Sequence, residues 1–241
     1  MTVEIHARQK SFRELNALME KAPDRVLLRD CLGQRFLGAG ARSPREIEIT
    51  GVPGNALGAY LDGGSIQVFG NAQDAVGDTM NAGSIVVHGN IGDTAGYAMR
   101  GGSIFVEGHA GYRAGVHMKE YRDRVPALVI GGRAGSFLGE YQAGGVILVL
   151  GLGEETPIVG NFPCTGMHGG KVLLRSDCRD VVFPEQVHAR PAGEEDLAGV
   201  RPLLEQFCTL FGKDLPQILD HPFTLVTPDS KNPYRQMYVA N

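Results

Sequence analysis

The sequence predicts an all-β chain wound into a parallel β-helix, and three periodic features carry the prediction. Six glycines, Gly51, Gly70, Gly89, Gly108, Gly132 and Gly151, lie nineteen residues apart in four of their five intervals, with five extra residues between Gly108 and Gly132. A second glycine follows seven residues past the first five markers, at Gly58, Gly77, Gly96, Gly115 and Gly139, and a third follows thirteen residues past four of them, at Gly64, Gly83, Gly102 and Gly145. Short alternating runs then recur: Ile66 and Val68, Ile85 and Val87, Ile104 and Val106, Leu128 and Ile130, Ile147 and Val149, with Val172 and Leu174 as a further member. A fixed period near twenty residues marks a solenoid. Alternation over a few residues marks a strand with one apolar face.

A unit of this size cannot bury its own apolar face, so its neighbours must cover it. Stacking one coil per repeat at a strand spacing of roughly 4.8 Å places Leu61, Met80, Met99 and Met118 in an inward ladder, and about seven coils make a rod on the order of 30 Å long. The repeat glycines serve the corners, where the chain reverses through backbone angles or close approaches that a Cβ would obstruct.

Residues 1–30 read as an N-terminal cap. Thr2 to Ile5 suits a strand, Ser11 with Glu14 forms a capping box that opens a helix through Phe12, Leu15, Leu18 and Met19, and Val26 to Asp30 leads into the first coil. Residues 31–176 hold the β-helix, its first coil irregular, with Gly33, Gly38 and the pair Ile47/Ile49 echoing the repeat. Residues 177–241 read as a C-terminal cap: Pro184 and Pro191 fall in a loop, and a helix is predicted from Glu194 to Phe211. Leu197, Val200, Leu203, Leu204, Phe207 and Leu210 form its buried face. A further turn near Leu215 to Leu219 precedes an extended tail, Phe223 to Val239. Both caps are required because open coil ends expose strand edges that invite end-to-end association.

Composition narrows the function classes. The 34 glycines in 241 residues are about twice the usual ~7%, yet no Gly-X-Y period exists and apolar content is ordinary, which argues against collagen and disorder. A formal net charge of −4 offers no basic surface for nucleic acid. No run approaches the ~18 apolar residues of a membrane span, and Met1 to Lys10 is too polar for a signal peptide, so a cytoplasmic protein is expected. Cys31, Cys164, Cys178 and Cys208 are irregularly spaced and read as small buried side chains rather than ligands of zinc or an iron–sulfur cluster. His88, His109 and His117 fall within the repeat without a second ligand at metal spacing.

The sharpest catalytic hint is the pair Asp74 and Asp93, equivalent positions one coil apart and hence roughly 5 Å from each other, the separation of a retaining glycosidase. Against it, the same position holds Asn55, Tyr112 and Ser136 in other coils, a mixture that suits a turn. The run Gly169-Gly170-Lys171 lacks the spacing of a P-loop, and no G-x-G-x-x-G follows a strand and opens a helix. The insertion around Lys119 to Val125 is expected to project as a charged loop, which makes Lys119, Glu120, Tyr121, Arg122 and Asp123 candidates for partner contact.

Several strings carry a family resemblance: Gly70 to Met80 (GNAQDAVGDTM), Gly96 to Gly102 (GYAMRGG), His117 to Tyr121 (HMKEY), Phe137 to Tyr141 (FLGEY), Thr165 to Gly170 (TGMHGG) and the closing Asn232 to Val239. In this ordered set, from about Val26 onward, the chain resembles the C-terminal GXGXG domain of glutamate synthase large subunits, and more narrowly the version encoded as a separate subunit. The resemblance implies a right-handed β-helix with no catalytic residues, no cofactor and no metal site of its own. It also implies two partners: a glutamine amidotransferase subunit that releases ammonia, and a synthase subunit with FMN and an iron–sulfur cluster that aminates 2-oxoglutarate. The C subunits of formylmethanofuran dehydrogenase and formyltransferase/hydrolase complexes, and the corresponding N-methylglutamate synthase subunit, use a similar glycine repeat and stand as the alternative. An autonomous carbohydrate-active β-helix is the third reading.

Overall fold

The computed structural model describes residues 2–42, 44–154 and 157–229. Eleven strands and four helices follow in the order β1 (Thr2–His6), α1 (Phe12–Lys21), β2 (Arg25–Leu32), β3 (Glu46–Val52), β4 (Asp62–Phe69), β5 (Ala82–Val87), β6 (Ser103–Val106), β7 (Ala127–Ile130), β8 (Ala143–Val149), β9 (Gly169–Leu174), β10 (Val187–Pro191), α2 (Glu194–Ala198), α3 (Arg201–Phe211), α4 (Leu215–Leu219) and β11 (Thr224–Pro228). All eleven strands form one sheet, ordered β1-β2-β3-β4-β5-β6-β7-β8-β9-β11-β10. β1 to β9 pair in parallel, each with the next, as a parallel β-solenoid of about seven turns requires. Both strands of the expected N-terminal cap are therefore rungs of the same sheet.

The interior is built from five apolar columns. Counting from each marker glycine, they stand two residues on (Ala72, Ile91, Ala110, Ala134), six on (Leu57, Val76, Ala95, Ala114, Leu138), ten on (Leu61, Met80, Met99, Met118) and at the two inward strand positions, all of them buried. The inward ladder expected of Leu61, Met80, Met99 and Met118 is present, each residue no more than 1% exposed. The next rung is Gln142, fully buried, whose Nε2 donates to the carbonyls of Gly144 and Gly145 at 3.2 and 3.1 Å.

Opposite the strands, each coil turns through a repeated alternation of backbone hand. Left-handed residues occur at every second position in seven successive triples: Phe36/Gly38/Gly40, Ala56/Gly58/Tyr60, Ala75/Gly77/Thr79, Thr94/Gly96/Ala98, Arg113/Gly115/His117, Phe137/Gly139/Tyr141 and Phe162/Cys164/Gly166. This alternation aims successive amides at opposite neighbours. Ala75 N–H donates forward to the Asp93 carbonyl, Gly77 N–H back to Leu57, and Thr79 N–H forward to Tyr97, at 2.7, 2.8 and 2.7 Å. The same pattern recurs coil after coil, so a segment that looks like four consecutive turns is hydrogen-bonded between coils as a sheet is. Thirteen of the 21 left-handed positions in these triples carry a side chain, a strain of order 1 kcal/mol or more each that the inter-coil bonds hold in place.

The sheet's outer face departs from the one-sided alternation expected of the strands. Gln67 of β4 is polar, but the equivalent residues Val86, Phe105, Val129, Leu148 and Leu173 are buried beneath Val200, Leu204, Phe207 and Phe211 of the C-terminal helices. From β5 onward the strands have two apolar faces. Their continuous runs, such as Val146 to Leu150, carried that signal in the sequence.

The single helix expected from Glu194 to Phe211 is two, broken at Gly199 and Val200. Pro202 lacks the N–H that would bond Ala198, and its ring would strike that carbonyl, so the chain restarts with proline in the first turn. Lys213 pairs with Glu107 at 2.9 Å, and Arg175 donates to the carbonyls of Ile218 and Gln217, fastening α3 and α4 to the rod. Pro191, expected in a loop, ends β10, an outermost strand where its missing N–H costs no ladder bond. The tail beyond Asp229, including Asn232 to Val239, lies outside the described residues.

Two glycine substitutions separate backbone hand from crowding. Gly40 (φ +66°) has open space where a Cβ would stand, whereas at Gly83 (φ +92°) a Cβ would sit 2.5 Å from the Gly64 carbonyl oxygen. Gly40→Ala should cost about 1 kcal/mol in urea unfolding, and Gly83→Ala at least about twice that, because a backbone atom of the adjacent coil must move as well.

Candidate functional site

The carboxylates of Asp74 and Asp93 are members of a tandem ladder between coils. Asp74 Oδ1 accepts the backbone N–H of Asp93 at 2.9 Å, and Asp93 Oδ1 accepts that of Tyr112 at 2.8 Å. Each is turned toward the next coil in tandem, rather than toward a shared substrate position. Ser136 Oγ does the same for Asn161 N–H at 3.0 Å. A parallel ladder runs three residues earlier: Asn71 Oδ1 accepts from Asn90 N–H and Asn90 Oδ1 from His109 N–H, both at 2.8 Å, and His109 Nδ1 accepts from Arg133 N–H at 3.0 Å. Acceptance at Nδ1 leaves the His109 Nε2 proton facing Glu154 Oε1 at 3.4 Å. These side chains close a corner of the coil where regular strand pairing lapses.

Cys164 and Cys178 lie near enough to interact, and burial dominates the chemistry of the thiols. Burial pushes the Cys164 thiol up to about 12, with Cys178 adding to the rise, and burial with Asp30 pushes Cys31 up to about 12. Neutral thiols are poor nucleophiles and poor ligands. Among the described residues no three His, Cys, Asp or Glu side chains are grouped to hold a metal ion.

What the structure does gather is aromatic surface on the turn wall. Every tyrosine among the described residues is substantially exposed: Tyr60, Tyr97, Tyr112, Tyr121 and Tyr141 at 42–59%. Four stand in turn segments, in the coils that begin at Gly51, Gly89, Gly108 and Gly132, and one in the insertion. Tyr97, His117 and Tyr141 form one row, His117 edge-on to Tyr97 at 5.9 Å and stacked on Tyr141 at 5.3 Å. Arg113, Phe137 and Phe162 form a second row, the guanidinium 5.2 Å from the Phe137 ring centroid and the two phenyl rings 5.3 Å apart. Tyrosine supplies large contact area at low entropic cost, and both tyrosine and arginine are enriched at the energetic centres of protein interfaces. Sequence reading missed this wall because its four turn tyrosines fall at three different offsets from the marker glycines. Only the turn geometry brings the offsets to one side.

The insertion is less free than its composition suggested. Tyr121 and Arg124 pair as a small antiparallel bridge, and Arg124 reaches back across earlier coils to Asp62 Oδ1 and the Asn81 carbonyl, both at 3.2 Å. Glu120 Oε1 accepts the Gly145 N–H at 3.0 Å. Lys119, Glu120, Tyr121, Arg122 and Asp123 are all exposed, so the segment presents a held surface rather than a projecting loop.

The chain belongs to the GXGXG motif family, whose model matches residues 26–228 and which is linked to the glutamate synthases. It is also 42% identical to an uncharacterized protein of Methanocaldococcus jannaschii, over 99% of this chain and 97% of that protein. No helix among the described residues is long and apolar enough to cross a membrane.

Asp74→Asn should leave stability within about 0.5 kcal/mol of the parent, because an amide oxygen can accept the same N–H, as Asn71 and Asn90 do one column away. Asp74→Ala should cost about 1 kcal/mol by orphaning the Asp93 N–H. Urea melts of the two variants check this, and equal losses would contradict the ladder.

Proposed function

We propose that this chain is the non-catalytic structural subunit of a glutamate synthase-type assembly, holding a glutamine amidotransferase subunit and an FMN and iron–sulfur synthase subunit in fixed relation. The reading rests on one observation above others: a GXGXG solenoid spanning nearly the whole chain leaves all its described tyrosines exposed, four of them in its turn segments and one in the insertion. In this reading the cofactors belong to the partners, the assembly is cytoplasmic, and the overall reaction forms glutamate from glutamine and 2-oxoglutarate.

A stiff rod suits that task physically. Inter-coil hydrogen bonds on the strand face and on the turn wall leave little room for bending, so partners docked at different coils keep their separation. The tyrosine wall and the surface from Lys119 to Asp123 are the assigned docking areas, and the sheet's other face is already taken by the chain's own helices.

Reconstitution tests the proposal. The purified chain alone should not turn over glutamine or 2-oxoglutarate, and glutamine-dependent glutamate formation by the two catalytic subunits should depend on adding it. The double variant Tyr97→Ala/Tyr141→Ala should weaken assembly about tenfold or more while leaving the melting temperature within a few degrees. Assembly with formyl-transfer subunits instead, or activity indifferent to the chain, would overturn it.

A further inference from the structure

The two ends of the turn wall are finished differently. At the first coil, Gly38 N–H would need a carbonyl from a preceding coil, and Asn16 of α1 supplies one, its Oδ1 accepting at 3.0 Å while its Nδ2 donates to the carbonyls of Phe36 and Phe12 at 2.9 Å. At the last coil, the forward-pointing amides of Phe162 and Gly166 and the carbonyl of Pro163 occupy the positions that bond the next coil everywhere else, and among the described residues they meet no partner. The strand face of that end is closed by β11 and β10, and no described residue closes the turn wall in the same way.

Beside these groups lies a slot of about 300 Å³ between the last turn, Val159 to Pro163, and the segment Asp180 to Val182. Its rim is apolar and open to solvent: Phe162 is 62% exposed and Val182 85%. Asp180 is the charged group lining the slot, and it makes no ion pair among the described residues. Unmatched N–H and C=O groups along a coil edge form a template for an added extended chain.

We infer that the slot between Phe162 and Val182 receives an extended polypeptide segment of a partner subunit, which stands where an eighth coil would and presents a bulky apolar side chain next to a lysine or arginine. The segment's carbonyls accept the Phe162 and Gly166 amides, its apolar side chain rests on Phe162 and Val182, and its cation faces Asp180. This is a main-chain graft onto the end of the rod, distinct from side-on docking against the tyrosine wall. It rests on the reading of the chain as a structural subunit and names the chemistry of one partner contact.

A displayed library of random linear peptides, selected against the intact protein, tests it without presupposing the partner. Enrichment should converge on a basic residue beside a bulky apolar one. Synthetic peptides of the enriched sequence should bind about fivefold or more weakly to Asp180→Lys and about tenfold more weakly to Val182→Asp, with the melting temperature unchanged in both exposed-site variants. They should bind Tyr97→Ala as they bind the parent. No enrichment, an acidic consensus, or binding indifferent to both slot variants would overturn the inference. Reconstituted glutamate formation that survives Asp180→Lys/Val182→Asp would show a working assembly that does not use the slot, which separates failure here from failure of the structural-subunit reading.

Discussion

The hydrogen bonds between successive turn segments are the constraint on which the rest of the molecule depends. A strand ladder closes only one side of a coil, and a nineteen-residue unit must reverse direction with few residues to spare. Alternating right- and left-handed backbone solves both problems at once, because every second amide is aimed at an adjacent coil. The cost is left-handed geometry at residues such as Tyr60, Thr94 and Phe137, which have side chains and resist it. Glycine fills the middle of each triple through Gly139, and in the last coil Cys164 takes that position. With the turns held, the methionine rungs, the strand pairs and the amide-accepting column of Asp74 and Asp93 fall into register without further specification.

Much of this was legible in the residues. The spacing of the marker glycines gave the coil length, the pairs such as Ile85 and Val87 gave the strands, and the inward rung of Met80, Met99 and Met118 could be named before any coordinates. Less legible were features that depend on contacts distant in sequence. The antiparallel strands β10 and β11 are separated by three helices, so no hairpin signal linked Val187 to Pro228. Burial of Phe105 and Leu148 on the outer face depended on where Phe207 lands. The break before Arg201 was readable from Pro202, but the apolar periodicity across it masked the stop.

The candidate site shows the same division. Asp74 and Asp93 drew attention because equal offsets in adjacent coils mean proximity, and that inference of proximity held. Their role did not follow from proximity, since a carboxylate one rung below a backbone amide satisfies it instead of sharing a substrate. The tyrosine wall ran the other way: residues at unequal offsets, Tyr97, Tyr112 and Tyr141, share one wall because the turn segment carries several outward positions. A repeat protein thus reports its columns through its period and hides surfaces that cross columns. The asymmetry of its ends, Asn16 closing one and nothing among the described residues closing the other, is visible only once each amide has been followed to its acceptor.

Native-state hydrogen exchange resolved by residue tests the central claim most directly. If the turn segments are bonded between coils, the amides of Ala75, Gly77, Thr79 and their equivalents through Tyr141 should be protected to the same degree as those of β5 and β6, opening only with global unfolding. The amides of Phe162 and Gly166 should exchange rapidly in the isolated chain. Turn amides that exchange at the rate of exposed loops while the strands stay protected would contradict the account, and would make the rod a single sheet carrying loose connections.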